Sequence, residues 1–286
     1  MARRSHPADL WRSERGHEGP RRTSGGGLMS ALKGRVALVT GSSRGVGRGI
    51  ALRLAADGAA VAVNYRRDAE AADAVVAEIV SAGGEAKAYS ASIDDTAAVD
   101  AMVDAVRTDL GPIDLVVSNA GTASKGQSVG DTPGADFQSL LNVHALGPIH
   151  LIQRVLPDMR AAGRGDVIMI SSSTVAEAPA LSAPYTMAKA AMEMCIRTLA
   201  QEERVHGIHA NIVAPGLVET EMGRRLVRAA TGGGTMEDIA QSYPFGRICT
   251  PADIAGAVAY LVSADADYVT GQRITVDGGG RSVSVV

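Results

Sequence analysis

The sequence predicts a single doubly wound α/β domain, with a seven-stranded parallel sheet and helices on both faces. Three observations predict it. Seven short runs of aliphatic and β-branched residues recur along the chain, and they are continuous rather than alternating, as strands covered on both faces require. Between them lie stretches whose apolar residues fall at helical spacing and which stop near glycines. A glycine-rich turn joins the first run to the first helical stretch. With 286 residues, 46% of them hydrophobic and 21% charged, the chain can bury a sizeable core without disulfides or metal, which excludes disorder of the whole. A net charge of -3 gives no global field for a nucleic-acid backbone.

Residues 1–29 stand apart. They carry Arg3, Arg4, Arg12, Arg15, Arg21 and Arg22 and few apolar side chains beyond Leu10 and Trp11, so burial cannot order them. They are expected to be a disordered Arg-rich extension, or to precede the true start at Met29. Asp9, Glu14 and Glu18 argue against a transit peptide, and a nucleic-acid-binding arm is the weaker alternative. Residues 30–286 then form the one domain.

The first strand is expected at 36–40, followed by a helix through Ile50, Leu54 and Ala55 that ends at Gly58. Strands follow at 60–64 and 86–90, with helices at 69–81 and 96–110, then strands at 114–118, 167–171, 209–214 and 273–276. The segment 217–246 reads as a mobile lid, with Gly232 to Gly234 inside it and Met222, Leu226, Val227, Met236, Ile239, Tyr243 and Phe245 either packing it or touching a ligand. No run approaches the roughly 18 apolar residues that span a bilayer, and no apolar signal core opens the chain. Cys195 and Cys249 share no short spacing. A soluble, cytoplasmic protein with no membrane or nucleic-acid partner is therefore expected. His144, His150, His206 and His209 form no zinc-type i, i+4 pair, so metal is not expected.

Site signals sit at the strand ends. Thr40-Gly41-Ser42-Ser43-Arg44-Gly45-Val46-Gly47 is a glycine turn between strand and helix, where backbone N–H groups can approach a pyrophosphate at the positive end of the helix. Glycines also close such turns with no ligand. About 20 positions beyond such glycines an NAD-binding chain places an acidic residue on the ribose hydroxyls. This chain reads Asn64-Tyr65-Arg66-Arg67 there, without a carboxylate, and Arg44 stands in the loop opposite. Two cations where a 2′-phosphate would sit favour NADP(H) over NAD, the duller alternative being a solvated loop pair. Tyr185 and Lys189, four apart, share one face of a helix that Pro184 would start. An ammonium beside a phenol favours phenolate and brings its pKa toward the working range. Ser172 lies thirteen residues before Tyr185, at the end of the fifth strand, the edge where such sheets bind ligands.

These features together resemble the short-chain dehydrogenase/reductase family over residues 32–279, in its 3-oxoacyl-carrier-protein reductase-like branch. The matching landmarks are Thr40 to Gly47, Ser118-Asn119-Ala120-Gly121, Asn142 in Leu141-Asn142-Val143, Ser172 with Tyr185 and Lys189, Pro215-Gly216 with Thr220, and Tyr268 to Gly279. The resemblance implies a Rossmann fold and hydride transfer between nicotinamide and a ketone or secondary alcohol. It makes Tyr185 the acid in reduction, Ser172 a hydrogen-bond partner of the substrate oxygen, Lys189 the group that lowers the Tyr185 pKa and bonds the ribose, and Asn142 the anchor of a proton-relay water.

It also implies cofactor contacts from Gly41, Ser43, Arg44, Gly45, Val46, Gly47, Tyr65, Arg66, Ser92, Ile93, Asn119, Ala120, Gly121, Tyr185, Lys189, Pro215, Gly216, Val218 and Thr220. Ser92-Ile93 stands where the family often has Asp-Val, and Ser118 where it often has Asn. Alternatives stay open: Asn142 as a helix residue, Thr220 as an N-cap, and Ser171 or Ser173 in place of Ser172. The substrate is a small carbonyl or alcohol compound, with a 3-oxoacyl thioester and a sugar or polyol both in view. An acidic acyl-carrier protein would want basic surface, for which Arg164 and His206 are the nearest candidates outside the lid. The resemblance implies a homotetramer. The alternative from another class is a nucleotide-sensing or scaffolding protein without turnover.

Overall fold

A computed structural model describes residues 31–280; the extension at 1–29 lies outside them. Seven parallel strands form one sheet in the order β3-β2-β1-β4-β5-β6-β7: β1 Val36–Val39, β2 Ala60–Tyr65, β3 Glu85–Ser90, β4 Leu115–Ser118, β5 Gly165–Ile170, β6 Ile208–Pro215 and β7 Arg273–Val276. Chain order reverses direction between β1 and β4, which creates the crevice outside the carboxyl ends where doubly wound sheets bind ligands. The register is continuous across that point, Leu38 lying beside Ala62 on one side and Val116 on the other.

Helices cover both faces, with the short α6 (Thr174–Glu177) and α9 (Met236–Ala240) completing their chain order. One core joins the sheet to α3 (Thr96–Asp109), α5 (Gly147–Ala162) and α7 (Ala183–Glu203), through Val103, Leu151, Met192 and Ile196. The other joins it to α1 (Gly45–Ala56), α2 (Ala69–Ser81) and α10 (Pro251–Leu261), through Ile50, Leu54, Val75 and Val258. Side chains cap three of these six starts. Asp68 accepts from Ala71 N, Asp95 from Ala98 N, and Thr250 forms a capping box with Asp253. α1 and α10 meet closely because Gly49 has no side chain: a Cβ there would stand 2.9 Å from Pro251 Cβ.

Three features depart from the sequence reading. Strand β3 is not covered on both faces: it is an edge with Glu85, Lys87 and Ser90 exposed, and Lys87 pairs with Asp109 at 2.7 Å. A lysine at an open edge discourages pairing with another chain. Strand β7 closes the opposite edge and is only partly covered. Between α4 (Gly134–Leu141) and α5 the helix widens into a π-helical turn, Asn142–Leu146, in which Gly147 N donates to Asn142 O. Pro148 has no N–H to give the carbonyl of His144, so the α-helical ladder cannot run through this point unchanged.

At the amino ends of the strands, Arg35 is buried among carboxylates, with Nε 2.9 Å from Asp114 Oδ2 and Nη1 2.5 Å from Asp166 Oδ2. Arg164 joins it through Asp114 at 2.8 Å. This charged cluster closes the end of the sheet that faces away from the crevice.

Candidate active site

Strand β5 is buried throughout and delivers three serines at its carboxyl end. Ser171 and Ser173 turn inward: Ser171 Oγ donates to the Glu193 carboxylate, and Ser173 N donates to Pro215 O at 2.7 Å. Ser172 is half-buried and is the serine that hydrogen-bonds Tyr185. Its Oγ accepts from Thr174 Oγ1 at 2.9 Å and from Thr174 N at 3.3 Å. Those bonds use acceptor positions and leave the serine proton to point at the Tyr185 oxygen or at an oxygen that takes its place.

Helix α7 starts with Pro184 in its first turn and places Tyr185, Lys189 and Glu193 on successive turns of one face. Lys189 is buried, its Nζ donating to Ile170 O at 2.7 Å and standing 5.8 Å from the centre of the Tyr185 ring. Burial pushes the Lys189 ammonium down to about 7, against a smaller pull upward from Glu193. The expected lowering of the Tyr185 phenol is corrected here: burial raises it, and the Ser172 hydrogen bond offsets only part of that. Tyr185 is therefore poised as a protonated group.

Glu193, buried, also accepts from Arg273 Nε at 3.0 and 3.1 Å, and Arg273 Nη2 donates to Ser172 O at 2.9 Å. The pair ties β7 to the serine. Glu193 was legible in principle, four residues beyond Lys189 on the same face.

The π-helical turn supplies two more groups. Asn142 is half-buried at its start, its Oδ1 accepting from Gln138 Nε2 at 2.7 Å. His144 is buried edge-on to the Tyr185 ring, centroids 5.1 Å apart and planes at 81°, with Nε2 2.8 Å from Thr122 O. Burial, aided by Lys189, pushes His144 down to about 3, so the imidazole is neutral. The sequence reading considered this histidine only as a metal ligand. Gly121 fits against it, since a Cβ there would lie 2.5 Å from His144 Cε1. Among the described residues no group of three His, Cys, Asp or Glu is placed to hold a metal.

The glycine loop leads from β1 into α1. A Cβ on Gly47 would meet Gly41 O at 2.4 Å, so this turn needs its glycine for its own closure. Asn119 clips the loop to β4, its Nδ2 donating to Thr40 O at 2.9 Å and Gly41 O at 3.1 Å, while Thr40 Oγ1 accepts from the N–H groups of Asn119 and Ala120. From the other side Asn64 Oδ1 accepts from Gly41 N at 3.0 Å. No side chain caps the N-terminus of α1, unlike α2, α3 and α10. Its first N–H groups near Ser43, Gly45 and Val46 thus remain open to an anion, which fits the diphosphate of a dinucleotide.

Arg66 and Arg67 are exposed after β2, next to half-buried Tyr65. The reading that no carboxylate stands here needs correction. Asp68, one residue further on, caps α2 and pairs with Arg44 at 3.2 Å, and Glu221 holds the other side of Arg44 at 3.3 Å. Arg44 is thus shared between two exposed carboxylates, while Arg66 and Arg67 have no ion-pair partner among the described residues.

A family model described as enoyl-(acyl carrier protein) reductase matches residues 41–280. The chain belongs to the short-chain dehydrogenase/reductase family. It is 36% identical to a 3-oxoacyl-[acyl-carrier-protein] reductase from Synechocystis, over 88% of this chain and 98% of that one. It resembles a gluconate 5-dehydrogenase from Burkholderia cenocepacia, solved with NADP and tartrate, with a TM-score of 0.79 and 33% identity over 88% of this chain and 97% of that one. A 7α-hydroxysteroid dehydrogenase solved with NADH and a 7-oxo bile acid is equally similar in fold, at 0.79 and 32% identity over 89% and 96% of the two chains.

The remaining predicted positions of this short-chain dehydrogenase/reductase fall around the same crevice. Ser92 and Ile93 follow β3, and Ile93 O touches Gly147, where a Cβ would approach to 2.0 Å. Pro215 ends β6, Gly216 N donates to Val276 O, and Val218 bridges to Cys249. Thr220 is the N-cap of α8 (Glu221–Thr231), accepting from Gly223 N at 3.1 Å, so the duller reading of that residue describes it in this state. In the 217–246 segment Val227 and Met236 are buried with Ile248, Ile239 and Tyr243 pack on them, and Met222, Leu226 and Phe245 are exposed. Arg164 and His206 precede β5 and β6, at the amino ends of the strands, and so do not flank the crevice. Among the described residues no helix is long and apolar enough to cross a membrane.

Proposed function

We propose that this chain is an NADP(H)-dependent oxidoreductase that interconverts a ketone and a secondary alcohol, acting as a carbonyl reductase. One observation carries the reading: Tyr185 stands beside a buried Lys189, with Ser172 acting on its hydroxyl, at the carboxyl edge of the sheet where chain order reverses. When bound, NADPH supplies the hydride to the carbonyl carbon.

The open N-terminus of α1, with Gly41, Ser43, Gly45, Val46 and Gly47, would receive the diphosphate. Arg44 and Arg66 would hold the 2′-phosphate, with Tyr65, Ser92, Ile93, Asn119, Ala120 and Gly121 around the adenosine and Pro215, Gly216, Val218 and Thr220 at the carboxamide end. Ser172 donates a hydrogen bond to the carbonyl oxygen and orients it. Tyr185 gives its proton to the same oxygen, the phenol being protonated in its buried site. Lys189 would bond the ribose of the cofactor and, with Asn142, would pass a proton back to Tyr185. His144 fixes the tyrosine ring from its edge and stays neutral.

The NADP complex of the gluconate 5-dehydrogenase supports the cofactor reading. The full set of four groups around one crevice favours turnover over a sensing role. Leu146, Met187 and Met194 are exposed on the helices that bear Asn142 and Tyr185, and Tyr268 is exposed near β7, which supports the homotetramer. Two free thiols support a cytoplasmic location.

The test is consumption of NADPH with a small ketone. Tyr185→Phe should lower kcat/KM by roughly 100- to 10,000-fold while NADPH binding changes little. An unchanged rate in that variant, or a wild type that binds NADPH and turns over no ketone, would overturn the proposal.

A further inference from the structure

Charged side chains hold three consecutive residues where β5 ends. Lys189 Nζ donates to the Ile170 carbonyl at 2.7 Å, the Ser171 hydroxyl donates to the Glu193 carboxylate, and Arg273 Nη2 donates to the Ser172 carbonyl at 2.9 Å. Lys189 and Glu193 belong to α7, and Arg273 comes from β7 at the edge of the sheet. The holders are themselves joined, because Arg273 Nε reaches both Glu193 oxygens, at 3.0 and 3.1 Å. The remaining guanidinium nitrogen, Nη1, donates to Thr275 Oγ1 at 2.7 Å, so every nitrogen of Arg273 has an acceptor.

The Glu193 and Arg273 side chains are only 8% and 16% exposed. A buried ion pair adds little stability over apolar side chains of the same shape, so stability alone does not account for this one. What it holds does. A donor on the Ser172 carbonyl fixes the peptide plane from which the Ser172 side chain springs, and that side chain acts on the Tyr185 hydroxyl. Glu193 stands one helical turn from Lys189, and its charge favours the buried ammonium. The other titratable groups facing Lys189 among the described residues are Tyr185 on its own helix and His144 from the π-helical turn, both uncharged at neutral pH.

We propose that Glu193 and Arg273 are positioning residues of this active site: as one ion pair they fix the Ser172 peptide at the strand end and keep a carboxylate one helical turn from the Lys189 ammonium. The proposal rests on the ketone–alcohol reading given above. It makes β7, the last strand of the sheet, part of the machinery that aims the serine.

Two readouts test it. The first is the protonation midpoint of Lys189, followed by NMR on protein carrying isotope-labelled lysine; the chain has four lysines, and the signal lost in Lys189→Met assigns the one of interest. Glu193→Gln keeps the shape but removes the charge, so the midpoint should fall by about 0.5 or more, whereas Arg273→Met removes the cation that neutralises Glu193, so the midpoint should rise by a similar amount. A pair with a structural role alone would move it the same way in both variants or in neither. The second readout is reduction of diacetyl by NADPH. Arg273→Met should lower kcat roughly 10- to 100-fold with NADPH affinity changed less than about threefold, and Arg273→Lys, which restores the charge but not the planar fork, should recover part of the loss. NADPH binding shows that the variants are folded. An unchanged kcat in Arg273→Met, no recovery in Arg273→Lys, or Lys189 midpoints that do not move in opposite directions would overturn the proposal while leaving the reductase reading in place. If the wild type binds NADPH and reduces no ketone, the reductase reading fails instead, and the Lys189 midpoints alone decide the pair.

Discussion

At Lys189 the residue types that chemistry needs and those that stability prefers pull apart. Its ammonium is buried and held down at about 7, against 10.5 when unfolded, so between those pH values the folded state binds fewer protons and stability rises with pH. Below about pH 7 the protein carries the full penalty of the buried charge. Lys189→Met should abolish turnover, and its melting temperature relative to wild type should be higher at pH 6 than at pH 9, by scanning fluorimetry; a difference that is flat or reversed would contradict the burial account. His144 gives a second pH signature. With its pKa near 3 it costs stability as pH falls below about 6.5, so His144→Phe should narrow the loss seen by wild type on acidification from pH 7.5 to 4.5. Tyr185, Lys189 and Ser172 were legible because their spacing alone puts them at one sheet edge. His144 and Asp68 were not, since only the fold shows which ring meets Tyr185 and which carboxylate meets Arg44.

The elements divide in the same way. Strands β1, β4, β5 and β6 read correctly because full burial leaves an unbroken apolar run. The edge β3 exposes Glu85, Lys87 and Ser90, and that exposure follows from its place in the strand order, which local pattern does not reveal. The π-helical turn depends on a contact distant in sequence: Gly147 presses on Ile93 O so closely that a Cβ would stand 2.0 Å away. Gly147→Ala should destabilise by about 1–3 kcal/mol and, by shifting Asn142 and His144, lower kcat as well. Urea unfolding and steady-state rates check the two effects; a neutral alanine would mean that the turn is set by Pro148 alone.

Across the whole molecule, charge at one end of the sheet serves stability and charge at the other serves chemistry. Arg35 reads in sequence as an ordinary polar residue before a strand, because its partners Asp114 and Asp166 are 79 and 131 positions away. Arg35→Met leaves two buried carboxylates short of a cation and should cost about 3–5 kcal/mol, yet retain kcat at temperatures where the protein stays folded. Loss of kcat in folded protein would contradict that separation. The seven-stranded doubly wound architecture was legible in full, and so was the edge on which the site lies. The substrate was not, since no residue pattern along the chain specifies it.

The most direct test of the account is a pair of fluorescence titrations with NADPH and NADH, on the wild type and on Arg66→Asp. NADPH should bind the wild type at least tenfold more tightly, with the preference moving toward NADH in the variant. A wild type that favours NADH, or binds neither, would contradict the assignment of Arg44 and Arg66 to a 2′-phosphate and with it the central claim.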